Sequence, residues 1–221
     1  IMVDKLELTE KMAASGKVKK IVIFLHGYGA DGADLISLSD PLSKQLPDCF
    51  FSAPNAPRKC GASPFGFEWF PIPEIDGSTV PSMMEALAKS EKLLKDLIQY
   101  YIEKFTLNSE DIALVGFSQG TMISLNIGLR SKNILGGVVG FSGRLLMPDV
   151  LKSEKKSKYP PVLLVHGDAD DVVPISFLHE ATKSLEDLGI NFSTHISKNV
   201  GHGIAPDGLE KCSTFLQKVL A

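Results

Sequence analysis

Hydrophobic residues along this chain form short continuous runs, and many members of these runs are β-branched. Such runs are typical of strands that a parallel sheet buries on both faces, because neither face needs polar residues. The runs predict strands over residues 21–25, 49–52, 112–115, 137–141, 162–165 and 192–196.

Amphipathic stretches lie between these runs and predict helices. The clearest covers residues 82–105, where Ser82 and Glu85 match a capping box at the start. Its apolar positions recur at helical spacing and predict a buried stripe made by Met83, Leu87, Leu94, Leu97, Tyr101 and Phe105. Two further helices are predicted, one directly after Ser118 and one from about Pro206.

Strands and helices alternate to the end of the chain. This alternation predicts an α/β fold with right-handed crossovers, a mostly parallel sheet and helices on both faces. In such sheets the functional site lies outside the carboxyl ends of the strands. A chain of 221 residues with no internal repeat and no linker fits a single domain over residues 1–221.

Residues 54–81 show neither the apolar runs of strands nor the apolar spacing of helices, and they are rich in proline, glycine and aromatic residues. A loop of this length is usually functional or disordered, and its aromatic content argues against disorder. We therefore expect an ordered flap beside the site. Its aromatic side chains are predicted to form an apolar wall of the substrate groove, made by Phe65, Phe67, Trp69 and Phe70.

Composition and charge narrow the class of protein. Hydrophobic residues make up 44% and charged residues 22% of the chain, which is ordinary for a globular fold. The formal net charge of −3 is spread along the sequence, so nucleic acid is not an expected partner. The basic cluster at 152–158 is interrupted by Glu154 and is interpreted as a solvated loop.

The expected location is the cytoplasm. Cys49, Cys60 and Cys212 are odd in number and lack metal-like spacing, which favours reduced thiols. The opening residues IMVDKLELTEK show no leader pattern, and no apolar run is long enough to span a bilayer. Neither a metal nor another cofactor is expected, and the sequence leaves a homodimer open.

The motif Gly116-Phe117-Ser118-Gln119-Gly120 is the strongest chemical signal in the chain. It matches the nucleophile elbow G-x-S-x-G, and it stands between a predicted strand and a predicted helix, as that motif requires. Glycine on both sides permits the tight turn that exposes the serine hydroxyl. We therefore predict that Ser118 is a catalytic nucleophile.

A serine hydroxyl needs a base to remove its proton, and the chain order of this motif places a histidine after the nucleophile. Among the histidines that follow Ser118, His202 lies in a glycine-flanked loop after the last predicted strand. His166 ends a strand, His179 falls on a helix and His195 lies within a strand, so these three are interpreted as structural. His202 is the predicted base.

A carboxylate must orient that base, and the segment 166–174 offers Asp168, Asp170 and Asp171 directly after a predicted strand. Asp168 is placed for a loop-turning hydrogen bond, and Asp171 for a helix N-cap or for solvent. Spacing alone does not rank Asp170 above its neighbours, so the identity of the acid stays open at this point.

Attack on a carbonyl creates an oxyanion that preorganised N–H groups must stabilise. The backbone N–H of Gln119 is one predicted donor because it follows the nucleophile. The second donor is expected after an early strand, where His26-Gly27-Tyr28-Gly29 stands, and we predict the N–H of Tyr28. A plain glycine-rich turn is the alternative for this segment. His26 is interpreted as a structural residue that braces the loop.

Taken together, these segments resemble the acyl-protein thioesterase and carboxylesterase (phospholipase/carboxylesterase) family of α/β hydrolases. The resemblance spans nearly the whole chain and is carried jointly by FLHGYGADG at 24–32, SAPNAPR at 52–58, EWF at 68–70, GFSQG at 116–120, FSG at 141–143, HGDADDVVP at 166–174 and GH at 201–202. The chain departs from the common family pattern at Thr121, where a second glycine often follows GFSQG.

The resemblance implies an α/β-hydrolase fold without a large cap, a triad acid at Asp170, and oxyanion donors at Tyr28 and Gln119. It also implies hydrolysis of carboxylic esters, lysophospholipids or thioester-linked acyl groups, so the expected substrate is a small ester or an acylated protein. The alternatives are a dienelactone-hydrolase-like or peptidase-like enzyme on this fold, or a ligand-binding scaffold without catalysis. The serine at the elbow and the complete set of catalytic groups argue against these alternatives.

Overall fold

Seven strands form the main sheet of the computed structural model, which describes residues 6–221. The predicted domain and the segment for which no leader is expected both include the first five residues, which lie outside the described residues. The strands are β1 Leu8–Lys11, β2 Lys20–Leu25, β3 Cys49–Pro54, β4 Arg58–Lys59, β5 Phe67–Glu68, β6 Ile112–Phe117, β7 Gly137–Phe141, β8 Val162–Gly167 and β9 Phe192–Ser197. Strands β4 and β5 form a separate two-stranded hairpin.

The order of strands across the main sheet is β1-β3-β2-β6-β7-β8-β9. Strand β1 runs antiparallel to β3, and all other neighbours are parallel, so the predicted mostly parallel sheet is confirmed. Every predicted strand lies within an observed one. Strand β1 is not predicted by the sequence, because the edge segment LTEK carries no apolar run.

Helices connect the strands, and the predicted helices are confirmed as α4, α5 and α8. The full set is α1 Gly32–Ile36, α2 Ser39–Gln45, α3 Pro73–Asp76, α4 Val80–Phe105, α5 Gln119–Arg130, α6 Pro148–Ser153, α7 Ser176–Asp187 and α8 Pro206–Val219. None of the helices within residues 6–221 combines the length and the apolar content needed to cross a membrane.

Helix α4 begins before its predicted start. Thr79 is the N-cap, and its hydroxyl accepts a hydrogen bond from the N–H of Ser82 at 3.3 Å. The predicted capping box with Ser82 and Glu85 is therefore wrong. Pro81 fits the first turn because the N–H that it lacks would have no helical acceptor there. Glu85 forms an exposed ion pair with Lys89 instead.

The helices cover both faces of the sheet, and strand β2 shows the division. Ile21, Ile23 and Leu25 enter a core shared with α4. Val22 and Phe24 enter the opposite core, which α8 covers. Alternate residues of one buried strand thus point into two cores, which explains the continuous apolar run in the sequence.

The segment 54–81 is ordered and carries the β4–β5 hairpin and helix α3. Glu68 is buried within it, and its carboxylate accepts hydrogen bonds from Arg58 Nε at 3.0 Å and from the N–H of Gly61 at 3.1 Å. A buried carboxylate is stable only with such partners. These contacts therefore hold the hairpin in one position.

Helix α5 approaches strand β2 more closely than side chains would allow. A Cβ atom on Gly120 would lie 1.7 Å from the carbonyl oxygen of Leu25, and one on Gly116 would lie 2.3 Å from the carbonyl oxygen of Gly120. Because real atoms do not approach this closely, both positions require glycine. The contact brings the start of α5 against the carboxyl end of β2.

We expect Gly120→Ala to lower the free energy of unfolding by about 3 kcal/mol, the upper end of the usual cost of overpacking, because the added methyl group meets backbone that cannot move aside. The measurement is urea unfolding followed by circular dichroism. Gly203→Ala is the matched control, since a Cβ there has no heavy atom within 4 Å. Equal unfolding midpoints for the two variants would contradict the close packing of α5 on β2.

Candidate active site

Ser118 lies at the turn between β6 and α5. Its backbone angles are φ 52° and ψ −113°, a conformation that is unfavourable for a residue with a side chain. Hydrogen bonds hold this turn, since the N–H of Ser118 donates to Phe141 O at 2.9 Å and its carbonyl accepts from the N–H of Thr121 at 3.0 Å. The turn leaves the hydroxyl at the carboxyl edge of the sheet.

His202 connects the serine to a carboxylate. Its Nε2 lies 3.0 Å from Ser118 Oγ, and its Nδ1 lies 2.8 Å from Asp170 Oδ2. An ionised carboxylate can only accept hydrogen bonds, so Nδ1 carries the proton and Nε2 accepts from the serine hydroxyl. The structure thus brings together the serine, the base and one of the three candidate acids.

The three candidate acids lie in the loop between β8 and α7, at residues 168–175, which we call the acid loop. The other two aspartates of this loop have different surroundings. Asp168 Oδ1 accepts a hydrogen bond from the N–H of Asn199 at 2.6 Å, a structural contact between two loops. Asp171 is exposed and stands several residues before α7, so it is not the N-cap of that helix. Of the three carboxylates, that of Asp170 is the one bonded to His202.

The carboxylate of Asp170 is buried and ionised. Burial alone would raise the pKa of Asp170, but hydrogen bonds from His202 and from the N–H groups of Val173 and Val172 outweigh this and hold the pKa below its ordinary value. A negative charge at this position stabilises the imidazolium that forms when His202 takes a proton.

His166 is a buried residue near the end of β8, and it adjoins Asp170. Its Nε2 is 2.7 Å from Val173 O and 3.5 Å from Asp170 Oδ2. A carbonyl oxygen only accepts, so Nε2 carries a proton and donates to Val173. His166 therefore ties the acid loop to its strand, in agreement with the structural role that its position predicts.

Backbone contacts join the loop that carries the acid to the loop that carries the base. The N–H of Ala169 donates to Val200 O at 3.0 Å. A Cβ on Gly167 would lie 2.2 Å from the same carbonyl oxygen, so the two loops pack backbone against backbone. The spacing between Asp170 and His202 is therefore set by main-chain contacts.

Two backbone N–H groups beside Ser118 are available to bind an oxyanion. The N–H of Tyr28 has no hydrogen-bond acceptor within residues 6–221. The N–H of Gln119 is at the start of α5, where helical N–H groups lack acceptors. A Cβ on Gly27 would lie 3.4 Å from Ser118 Cβ, so the Tyr28 loop touches the elbow. Both predicted donors thus adjoin the nucleophile.

The predicted aromatic wall is corrected by the positions of its four rings. Trp69 and Phe70 are 0% and 1% exposed, and they pack in the core beside α4. Phe67 is partly buried, with Lys59 Nζ 4.0 Å from its ring centroid, whereas Phe65 is 80% exposed. The four rings do not share one surface, and only Phe65 and Phe67 are open to a ligand.

Trp69 and Phe70 turn inward because Gln119 binds the backbone at this point. The N–H of Trp69 donates to Gln119 Oε1 at 2.8 Å, and Gln119 Nε2 donates to Phe70 O at 2.6 Å. The Trp69 indole Nε1 donates to the carbonyl oxygen of His26 at 2.9 Å. We call these three hydrogen bonds the Trp69 brace. It links the elbow to the loop that carries the Tyr28 N–H, a role that the sequence did not indicate.

His26 supports the same loop from its other side. The N–H of Ala56 donates to His26 Nε2 at 3.0 Å, and His26 Nδ1 lies 2.7 Å from Gly27 O. Because the carbonyl oxygen only accepts, the proton is on Nδ1 and the ring is neutral. Burial lowers the pKa of His26, which favours this neutral form. The contacts agree with the bracing role predicted for His26.

The thiols of the chain are buried and free. They belong to Cys49, Cys60 and Cys212, and burial raises the pKa of Cys49 and of Cys212 to about 12. These two thiols are therefore poor nucleophiles. In the part of the chain that the structure describes, no three His, Cys, Asp or Glu side chains are grouped so that they could hold a metal ion.

Comparisons with known proteins confirm the resemblance seen in the sequence. The phospholipase/carboxylesterase family matches residues 8–220. Acyl-protein thioesterase 1 of Gibberella zeae is 30% identical over 213 residues, which cover 90% of each chain. Acyl-protein thioesterase 1 of Saccharomyces cerevisiae is 30% identical over 214 residues, which cover 92% of this chain and 94% of the relative. The crystal structure of esterase PE8 is 41% identical, with a TM-score of 0.90, and the match covers 98% of this chain and 100% of that one.

We expect Asp170→Asn to lower kcat by about three to four orders of magnitude, because an amide favours the wrong tautomer of His202 and does not stabilise its cation. Asp168→Asn and Asp171→Asn make the same change of charge, and each should cost less than about tenfold. Steady-state kinetics with a chromogenic ester measure all three. A larger loss of kcat in either control than in Asp170→Asn would show that the control residue is the triad acid.

The charge of Asp170 at low pH follows from the same contacts. The pKa of Asp170 lies below its ordinary value of about 3.9, so this group stays ionised as the pH falls to about 4. Protonation of its carboxylate should therefore occur only below about pH 4. Carbon-13 NMR of the aspartate carboxyl groups measures this titration, and the signal that Asp170→Asn lacks identifies Asp170. Titration of that signal above about pH 5 would contradict the stabilised carboxylate.

We expect Trp69→Phe to lower kcat by about tenfold while KM changes by less than about twofold, because it removes the donor to His26 O and loosens the Tyr28 N–H. Binding of a trifluoromethyl ketone, which forms an oxyanion on Ser118, should weaken in parallel. Phe70→Leu is the control, since it changes aromatic volume without removing a donor. Unchanged ketone affinity in Trp69→Phe would show that the brace does not act on the oxyanion site.

Proposed function

This chain belongs to the phospholipase/carboxylesterase family, and we propose that it hydrolyses carboxylic esters and acyl thioesters through an acyl-enzyme on Ser118. It is a hydrolase acting on ester bonds, and its relatives are named acyl-protein thioesterase and esterase. The observation that carries the proposal is the hydrogen-bonded series from Ser118 Oγ through His202 to Asp170.

Acylation begins when Ser118 Oγ attacks the carbonyl carbon and its proton passes to His202 Nε2. The new C–O bond moves the carbonyl electron pair onto oxygen, and the N–H groups of Tyr28 and Gln119 bind this oxyanion. When the pair returns, the bond to the leaving group breaks, and His202 gives its proton to the departing oxygen or sulfur. The products are an acyl ester of Ser118 and a free alcohol or thiol.

Deacylation repeats these steps with water in the place of serine. His202 takes a proton from the attacking water, and the same two N–H groups bind the second oxyanion. The acyl–oxygen bond to Ser118 then breaks, and the proton on His202 returns to Ser118 Oγ. The products are a carboxylic acid and the free enzyme.

The same groups serve esters and thioesters. A thiol, with a pKa of about 8.5, leaves with less help from a proton than an alcohol, whose pKa is near the value of about 15.7 for water. His202 therefore needs to do less for a thioester than for an ester. The names of the acyl-protein thioesterase relatives support an acylated protein as one substrate, beside small esters.

The acyl chain is proposed to contact Phe65 and Phe67 of the flap. Phe65 is 80% exposed between β4 and β5, and a large exposed ring can contribute apolar area to a bound chain. A homodimer, a cytoplasmic location and the single-domain organisation stay predictions.

We expect Ser118→Ala to lower kcat by at least about three orders of magnitude on both p-nitrophenyl butyrate and S-phenyl thiobutyrate, because the nucleophile is removed. Ser124→Ala is the matched control, since the hydroxyl of Ser124 is buried without a hydrogen-bond partner among the described residues. A fluorophosphonate should label the wild type and Ser124→Ala but not Ser118→Ala.

Two outcomes would contradict this proposal. More than about a tenth of wild-type kcat in Ser118→Ala would exclude an acyl-enzyme on this residue. Labelling of the wild type without turnover of either substrate would favour a ligand-binding scaffold.

A further inference from the structure

Arg144, in the loop that follows β7, is an arginine whose side chain has no polar partner among the described residues. The other two arginines of the chain each donate to a glutamate, in the pairs Arg58–Glu68 and Arg130–Glu154. Within residues 6–221, Arg144 donates no hydrogen bond and pairs with no carboxylate, although its Nε is buried. A buried donor without an acceptor is costly and therefore rare in folded proteins.

An aromatic ring holds the guanidinium in place. Arg144 Cζ lies 5.5 Å from the centroid of the Phe177 ring. Contact with a ring occupies the face of the guanidinium and leaves the N–H groups at its edge free to donate. The side chain is therefore positioned while its donors remain unused.

The loop that carries Arg144 touches the elbow. A Cβ on Gly143 would lie 2.9 Å from the carbonyl oxygen of Ser118. On the other side, Phe177 is in the first turn of α7, which follows the loop that carries Asp170. Arg144 thus follows a glycine that packs on the elbow, and Phe177 belongs to the helix that follows Asp170 in the chain.

A cavity of about 260 Å³ opens beside Arg144, between α6 and α7. One water occupies about 30 Å³ in the liquid, so a carboxylate or a phosphate group fits this space. Lys152 and Lys183 also line the cavity, and Glu180 is the acidic residue of its lining. Lys152 is paired with Asp187 at 2.7 Å. Among the residues that line the cavity, three side chains are basic and one is acidic, while Asp187 and Asp149 lie outside the lining near Lys152.

We propose that Arg144 binds a carboxylate or phosphate group on the substrate, so that the enzyme prefers esters that carry a negative charge away from the reacting carbonyl. The edge of a guanidinium offers two parallel N–H donors that match the oxygens of either group. This inference rests on the proposed function, because it names a substrate class for the same site.

The test compares substrates that differ by one charged group. In the acyl arm, p-nitrophenyl hemiglutarate is compared with p-nitrophenyl methyl glutarate. In the alcohol arm, butyryl glycerol phosphate is compared with butyryl glycerol. The measured quantity is the ratio of kcat/KM for the charged substrate to kcat/KM for the neutral one at low salt. The arm that shows the preference identifies where the charge is carried.

We expect the ratio in one arm to be about tenfold higher in the wild type than in Arg144→Gln, because a charge-assisted hydrogen bond is lost. Arg144→Lys keeps the charge without the paired donors and should give an intermediate ratio. Glu180→Gln should raise the ratio because it removes a repelling carboxylate. Lys158→Gln removes the same charge at an exposed ion pair with Glu110 and should match the wild type.

Equal ratios in the wild type and Arg144→Gln in both arms would overturn the inference while leaving ester hydrolysis intact. If Arg144→Gln does not fold, wild-type ratios in both Arg144→Lys and Glu180→Gln would overturn it. If the wild type does not hydrolyse the neutral esters, the proposed function fails instead. Calorimetric binding of glutarate and inorganic phosphate then decides the anion site, with binding about tenfold weaker in Arg144→Gln expected and equal binding overturning it.

Discussion

The candidate active site, at the carboxyl edge of the sheet, depends on one close backbone contact between the start of α5 and the end of β2. Gly120 permits it, because a Cβ there would lie 1.7 Å from Leu25 O and 2.7 Å from His26 O. The same contact positions both the elbow and the loop after β2, because β2 leads directly into the segment with the Tyr28 N–H. The packing of a helix on a strand thus sets the position of the nucleophile relative to the oxyanion donors, and holds Ser118 at φ 52°.

Much of this arrangement can be predicted because some structural features are determined by short stretches of sequence. Buried parallel strands need continuous apolar runs, so the sheet is predictable from sequence apart from the polar edge strand β1. The elbow needs glycine at Gly116 and Gly120, and a serine between them, at the junction of a strand and a helix, is typical of a nucleophile. His202 differs from the other histidines because it alone follows the last predicted strand in a loop.

The direction of a side chain cannot be predicted in the same way. Asp168, Asp170 and Asp171 have the same chemistry at almost the same place, and only the path of the loop decides which one faces His202. The prediction for Trp69 is wrong for a related reason, because aromatic content does not distinguish a ring that lines a groove from one that packs in a core. Its partner Gln119 is 50 positions away in sequence, so no local pattern could reveal the contact.

The inward position of Trp69 has a kinetic consequence. A lid that opens and closes would need the flap to separate from the elbow, and here that movement would break the buried hydrogen bonds of the Trp69 brace. Opening of the flap at Trp69 is therefore coupled to local unfolding around the elbow, an event far rarer than ordinary loop motion. We therefore expect substrate to reach Ser118 without separation of Trp69 from the elbow, so that closure at this point is not a step of turnover.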